Sequence, residues 1–100
     1  MFFFYTFLLR LGAVQFEFDP SKSASNVAKH GIDFNDAQAL WDDENYLEIQ
    51  ARTKDEPRWL VIGKIDGRTF AAIVTKRQGV VRIISVRRAR VAEETWYESP

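Results

Sequence analysis

The amino-acid sequence predicts an α+β domain in which two N-terminal helices and a short C-terminal helix pack on an antiparallel sheet of four to five strands. Three features of the chain lead there. Apolar residues recur at helical spacing between residues 20 and 41 and at strand spacing from Tyr46 to Val86. Asp19-Pro20 and Gly31 bracket a short helical stretch as start and stop signals. Asp66-Gly67 lies between two runs of β-branched and aromatic residues, the composition of a two-residue hairpin turn.

Val14, Phe16 and Phe18 alternate with Gln15 and Glu17 as in a half-buried first strand. Asp19 suits a helix N-cap, Pro20 the first helical position and Gly31 a left-handed cap, so residues 20–30 form a helix with Ala24, Val27 and Ala28 as its core stripe. Asp33 caps a second helix to about Trp41. Asp36 stands at its capping-box position, and Phe34, Ala37, Leu40 and Trp41 make its apolar face. Asp42-Asp43-Glu44-Asn45 ends it, and strands follow over residues 46–51, 58–65, 69–75 and 80–86. The Asp66-Gly67 turn sets Ile65 opposite Arg68, Lys64 opposite Thr69, Ile62 opposite Ala71, Leu60 opposite Ile73 and Arg58 opposite Thr75. A four-residue turn over 76–79 would set Val80 opposite Thr75 and Arg82 opposite Ile73. Arg58, Lys64 and Arg82 then project from one face of the sheet. Residues 90–98 close the chain as a short helix.

A hydrophobic share of 46% and a charged share of 28% belong to a globular chain rather than a disordered or fibrous one, and 100 residues suit one domain. Residues 14–100 are read as that domain and residues 1–13 as an apolar extension. The run MFFFYTFLL is shorter than the ~20 apolar residues a spanning helix needs, and no positive charge precedes it as in a signal peptide. It reads as an oligomer contact or as sequence upstream of a misplaced start, and no membrane partner is expected. The lack of cysteine excludes disulfides, thiol nucleophiles and Cys-ligated zinc, and a single histidine leaves no His-rich metal site. No metal or cofactor is expected, and a small domain that folds without disulfides suits the cytoplasm.

The net charge of zero conceals an asymmetry. Residues 33–56 hold eight acids and two bases, whereas residues 67–92 hold seven bases and no acid. The basic half either faces a polyanion such as nucleic acid or is neutralised by the acidic half across the fold.

No glycine-rich phosphate loop or nucleophile elbow occurs. What remains is a sheet carrying Arg and Lys among large apolar residues. Arginine presents a fixed fork of donors and keeps its proton, so such a face can hold a phosphodiester and stabilise charge developing on it. RNA carries its own nucleophile, the 2′-hydroxyl, and cleaving it demands only positioning, charge stabilisation and proton transfer. His30 is the candidate acid–base group; read structurally, Lys29 and His30 satisfy the end of their helix. Read the same way, Arg82 is a solvent-facing strand residue, Arg87-Arg88 with Arg90 a solvated charge run, and Asp42-Asp43 a helix terminus or partner surface. Trp59 and Phe70 are core rather than base-stacking platforms.

The strings FEFDPSKSASNVAKHGIDFNDAQALWDD, PRWLVIGKIDGRTF and VRIISVRRARVAEETWYE resemble, in order, the blocks of the BrnT toxins of type II toxin–antitoxin operons. The resemblance spans residues 16–98, though residues 91–96 lack the Arg-rich character of the family's last helix. It implies a RelE-like fold and a metal-independent endoribonuclease that cleaves RNA and inhibits translation. It also implies a BrnA-like ribbon-helix-helix antitoxin as partner, with operator DNA met only through that antitoxin; whether the assembly is a homodimer or a 2:2 complex is left open by the sequence. Charge and register, taken with the resemblance, give the expected roles. Arg58 and Arg82 stabilise the transition state, Lys64 assists, His30 transfers protons, and Lys29, Lys76, Arg77, Arg87 and Arg88 bind RNA phosphates. The alternative is a non-catalytic, degenerate module of the same fold that only binds antitoxin or nucleic acid.

Overall fold

The computed structural model describes residues 14–99, so the expectations for residues 1–13 fall outside the described residues. The elements in order are β1 (Gln15–Glu17), α1 (Pro20–His30), a 3₁₀ helix (Asp36–Asp42), β2 (Leu47–Ala51), β3 (Arg58–Ile65), β4 (Arg68–Arg77), β5 (Val80–Arg88) and α2 (Val91–Glu98). The strands form one sheet in the order β1-β5-β4-β3-β2. β2 to β5 are an antiparallel meander, but β1 runs parallel to β5, with Phe16 beside Val81 and Glu17 beside Arg82. The expected all-antiparallel sheet is therefore mixed. A strand that leaves through a helical crossover can return parallel to itself, and here the whole meander is interposed before that return.

Helix α1 has the expected bounds. Asp19 Oδ1 accepts the Ser21 N–H at 2.8 Å, and Gly31 (φ 75°) donates its N–H to the Val27 carbonyl. Its expected core stripe is wrong. Val27 is 46% exposed and Ala24 and Ala28 face solvent, whereas Ser23 and Asn26 are buried. Both buried side chains satisfy backbone groups that would otherwise be orphaned. Ser23 Oγ accepts the Phe34 N–H. The Asn26 carboxamide accepts from the Val86 N–H and donates to the Val86 and Ile32 carbonyls. It thus closes the edge of β5 beyond the reach of the three-residue β1.

The expected second helix is a 3₁₀ helix that starts three residues later than Asp33, although Asp33 Oδ1 still accepts the Asp36 N–H at 2.7 Å. The buried residues within it and just before it explain the change. Phe34, Ala37 and Leu40 recur every three positions, the period at which 3₁₀ side chains align. They join Ile32, Val61, Phe70, Ala72, Val74, Val81, Ile83 and Val86 in one core on one face of the sheet. At Gly63 on β3 the packing is close, since a Cβ would lie 3.2 Å from Leu40 Cδ2 and 3.3 Å from Asp43 Oδ2.

The first hairpin has the expected register, from Ile65 opposite Arg68 to Leu60 opposite Ile73. The second does not. It turns on two residues, Gln78 (φ 50°) and Gly79 (φ 82°), so Arg77 faces Val80 and Arg82 faces Thr75 rather than Ile73. Two positive φ values define the tight turn that matches strand twist, and glycine takes the second of them without strain. The register differs from expectation by two residues, so Arg82 stays on its expected face. A β-bulge at Ile73/Val74 then lengthens β5 relative to β4, leaving Ser85 opposite Ile73 and Arg87 opposite Ala71.

Candidate functional site

The face of the sheet opposite the core carries Arg58 and Lys64 from β3, Thr75 and Arg77 from β4, Arg82 and Arg87 from β5, and Glu17 from β1. The pairing of Trp59 with Val74 sets Arg58 beside Thr75, and Thr75 faces Arg82 across the next ladder. The backbones of Arg58 and Arg82 are thus two strand spacings apart, about 10 Å, within reach of two arginine side chains converging on one group. Thr75 lies between them, 1% exposed, and its Oγ1 has no hydrogen-bond partner among the described residues. An unmet buried hydroxyl costs about 1–3 kcal/mol, and it is tolerated where stability is not the only demand on a site. Arg82 donates to Glu17 Oε2 at 3.3 Å, and both side chains are partly exposed. Arg58 is half-buried and makes no ion pair among the described residues.

Lys64 shares the face but not the place. It lies six residues along β3 from Arg58, about 20 Å at strand rise, too far to act on the same phosphate. It instead belongs to a second cluster, beside an open cleft of about 530 Å³. There Asp43 Oδ2 accepts from the Lys64 N–H at 2.8 Å and from the Tyr97 hydroxyl at 2.5 Å, and the Lys64 ammonium lies 5.7 Å from the centre of the Tyr97 ring. Burial pushes the Asp43 carboxyl up, but the hydrogen bonds from Tyr97, Asn45 and Lys64 outweigh it and hold the pKa below its ordinary value. The bond to Asp43 pushes Tyr97 up to about 12, with burial and the carboxylate's charge adding to it.

Arg87 is locked. Its guanidinium grips Glu93 of α2 with two bonds, at 2.7 and 2.8 Å, and Glu93 Oε1 also accepts the Arg90 N–H. Those bonds raise the pKa of Arg87, against a smaller effect of burial, and lower that of Glu93 in the same way. The remaining expected phosphate ligands are dispersed. Arg77 shares the face of Arg82 but pairs with Glu56 at 3.1 Å. Lys76 points to the other face, where it meets Glu48 at 2.8 Å and lies 4.7 Å from the centre of the Trp59 ring. Arg88 also points there, its guanidinium 5.6 Å from the centre of the Phe70 ring. Lys29 and His30 are exposed at the end of α1, whose Ser23 and Asn26 bond Phe34 and the β5 edge at Val86, and no bond among the described residues ties either of them to Arg58 or Arg82.

The two halves of the charge asymmetry thus meet, with Glu48 and Glu56 of the acidic stretch neutralising Lys76 and Arg77 of the basic one. Sequence reasoning named Arg58 and Arg82 and read Asp42-Asp43 as a helix terminus or partner surface, but it did not single out Glu17 or Thr75. The alternation of Val14, Phe16 and Phe18 already turned Glu17 away from the core, but only the parallel pairing of β1 puts it beside Arg82. Among the described residues no three His, Asp or Glu side chains gather in a way that could hold a metal ion.

Residues 18–93 match a family model described as ribonuclease toxin, BrnT, of type II toxin–antitoxin system. No curated protein matches the chain.

Proposed function

The chain belongs to the BrnT family of type II toxin–antitoxin ribonuclease toxins, and from that membership we propose that it is a metal-independent endoribonuclease that inhibits translation by cutting RNA. The observation that carries the proposal is the pair Arg58 and Arg82, on adjacent sides of Thr75 on one sheet face. Two guanidinium groups reaching one phosphate would hold it through charge-assisted bonds and stabilise the extra negative charge of the five-coordinate transition state. Lys64, some 20 Å along β3, would meet the strand several nucleotides away rather than assist at the scissile bond. Arg77 would add a phosphate contact once its exposed pairing with Glu56 yields to RNA, since such pairs are worth only ~0.2–1 kcal/mol.

A type II toxin has an antitoxin partner. For this chain we take it to be a BrnA-like ribbon-helix-helix protein that brings the operator DNA contact, in a complex formed in the cytoplasm on a RelE-like toxin fold. No helix among the described residues is long and apolar enough to cross a membrane. The test is purified protein incubated with end-labelled RNA in excess EDTA. Site-selective cleavage that Arg82→Ala or Arg58→Ala abolishes in a folded protein supports the enzyme. Binding without cleavage supports instead the non-catalytic module, for which the neutralised Lys76, Arg77 and Arg87 argue.

A further inference from the structure

We propose that Glu17 is the proton acceptor of this site, an inference that rests on the ribonuclease reading above. Transesterification of RNA needs a base at the 2′-hydroxyl beside the groups that hold the phosphate. His30 is exposed at the end of α1, whose Asn26 bonds the β5 edge at Val86, four residues along the strand from Arg82, and it makes no bond to Arg82 among the described residues. On the Arg58–Arg82 face the carboxylate bonded to Arg82 is Glu17, set beside it by the parallel β1–β5 ladder and held through Oε2 alone. Among the described residues Oε1 makes no hydrogen bond, and the side chain is 43% exposed, so a lone pair is open to an incoming hydroxyl. A phosphate drawn to the Arg82 fork would bring its adjoining ribose within reach of that oxygen.

The step balances without a co-reactant. The 2′-O–H proton passes to Glu17 Oε1, and the oxygen's electron pair forms the 2′-O–P bond. The P–O5′ bond breaks with its pair going to the 5′ oxygen, which takes a proton from water. The products are a 2′,3′-cyclic phosphate and a 5′-hydroxyl end, and Glu17 returns its proton to solvent. The charged group facing Glu17 is Arg82 on β5; the same sheet face carries Arg77 on β4, itself paired with Glu56, and Arg58 on β3 three strands away, with uncharged Thr75 among them. A carboxylate bonded to an arginine is also what a structural ion pair would look like, and the two roles differ in what they move. A pairing role moves stability, whereas a base moves kcat and the pH profile.

The experiment compares wild type, Glu17→Gln, Glu17→Asp and Arg82→Ala on a short single-stranded RNA in EDTA, with thermal melts of each. The expected result is a fall in kcat of about 10²- to 10⁴-fold for Glu17→Gln. Its KM should be unchanged or lower, because Arg82 is freed for phosphate, and the acid limb of the pH–rate profile should vanish. Glu17→Asp should keep that limb at reduced rate. A folded Glu17→Gln that retains kcat and the acid limb overturns the proposal while leaving the ribonuclease reading intact, which loss of cleavage in Arg82→Ala would separately support. RNA left whole by the wild-type chain overturns the reading and this inference together.

Discussion

The two ends of one sheet face use the same residue type in opposite ways. At the end beside the β3–β4 turn, Arg87 is 22% exposed and gripped by the buried carboxylate of Glu93, and Tyr97 and Asp43 fasten the other end of α2 to β3. At the far end, beyond the bulge at Ile73/Val74, Arg82 holds Glu17 through a single 3.3 Å bond and Arg58 has no acid partner among the described residues. A guanidinium with two short bonds to a buried carboxylate is committed to the fold, since releasing it would strand a buried charge. A guanidinium in a long, half-exposed pair has given up little of its solvation and can exchange its partner for a phosphate. Counting arginines along the sequence makes the two equal, and their partners make one a structural latch and leave the other open to a ligand.

The sharpest way to break that comparison is Arg82→Ala. If the far end is the site, RNA cleavage should fall about 10²- to 10³-fold, as when one preorganised donor to a transition state is removed. Unfolding free energy should change by less than about 1 kcal/mol, the worth of an exposed pair. Unaltered cleavage in the folded variant would end the catalytic assignment. Next in size is Glu93→Gln at the latched end, where Arg87 loses its anion. Urea melts should show a loss of about 2–3 kcal/mol, below the value for a fully buried pair because Arg87 keeps some solvent. The pairing lowers the Glu93 pKa, so its stabilisation is present at neutral pH and is lost as pH falls through the folded-state value. The wild-type acid transition should therefore be steeper than that of Glu93→Gln. A variant as stable as wild type would show that the near end is no latch.

How much of this was legible in the sequence depended on the range of the interaction. The Asp66-Gly67 turn and the register it sets are encoded by adjacent residues, and so are the caps of α1 at Asp19 and Gly31. The second hairpin was misread because Gln78 is an uncommon residue at positive φ, though Gly79 marked the turn. The α1 face was misread because hydrophobicity cannot show that Ser23 and Asn26 are buried to satisfy the backbone of Phe34 and Val86. Asn26 meets Val86 across 60 positions, Glu17 meets Arg82 across 65 and Asp43 meets Tyr97 across 54. The last two exist only once the parallel strand and the terminal helix have docked, and they decide how Arg82 and Asp43 are paired.

Tyr97→Phe tests the latch at its weaker tie. The phenol donates to Asp43 at 2.5 Å but stays partly exposed, so its loss should cost about 1 kcal/mol at neutral pH, near the ordinary net worth of one hydrogen bond. The pH dependence separates this bond from mere packing of the ring. Tyr97 is pushed up to about 12 in the folded chain, above the ordinary 10.0, so its contribution is whole below pH 10 and is lost as pH rises toward 12. Asp43 is lowered, so its contribution is whole above the ordinary carboxylate range and is lost as pH falls through the folded value. Removing the hydroxyl should flatten the alkaline fall attributable to Tyr97 and shrink, without abolishing, the acid one, because Asn45 and Lys64 still donate to Asp43. RNA cleavage at the far end should stay within about twofold of wild type, since sites without shared partners behave additively. A larger loss would mean that the two ends of the face are coupled through α2, and the division between latch and site would have to be redrawn.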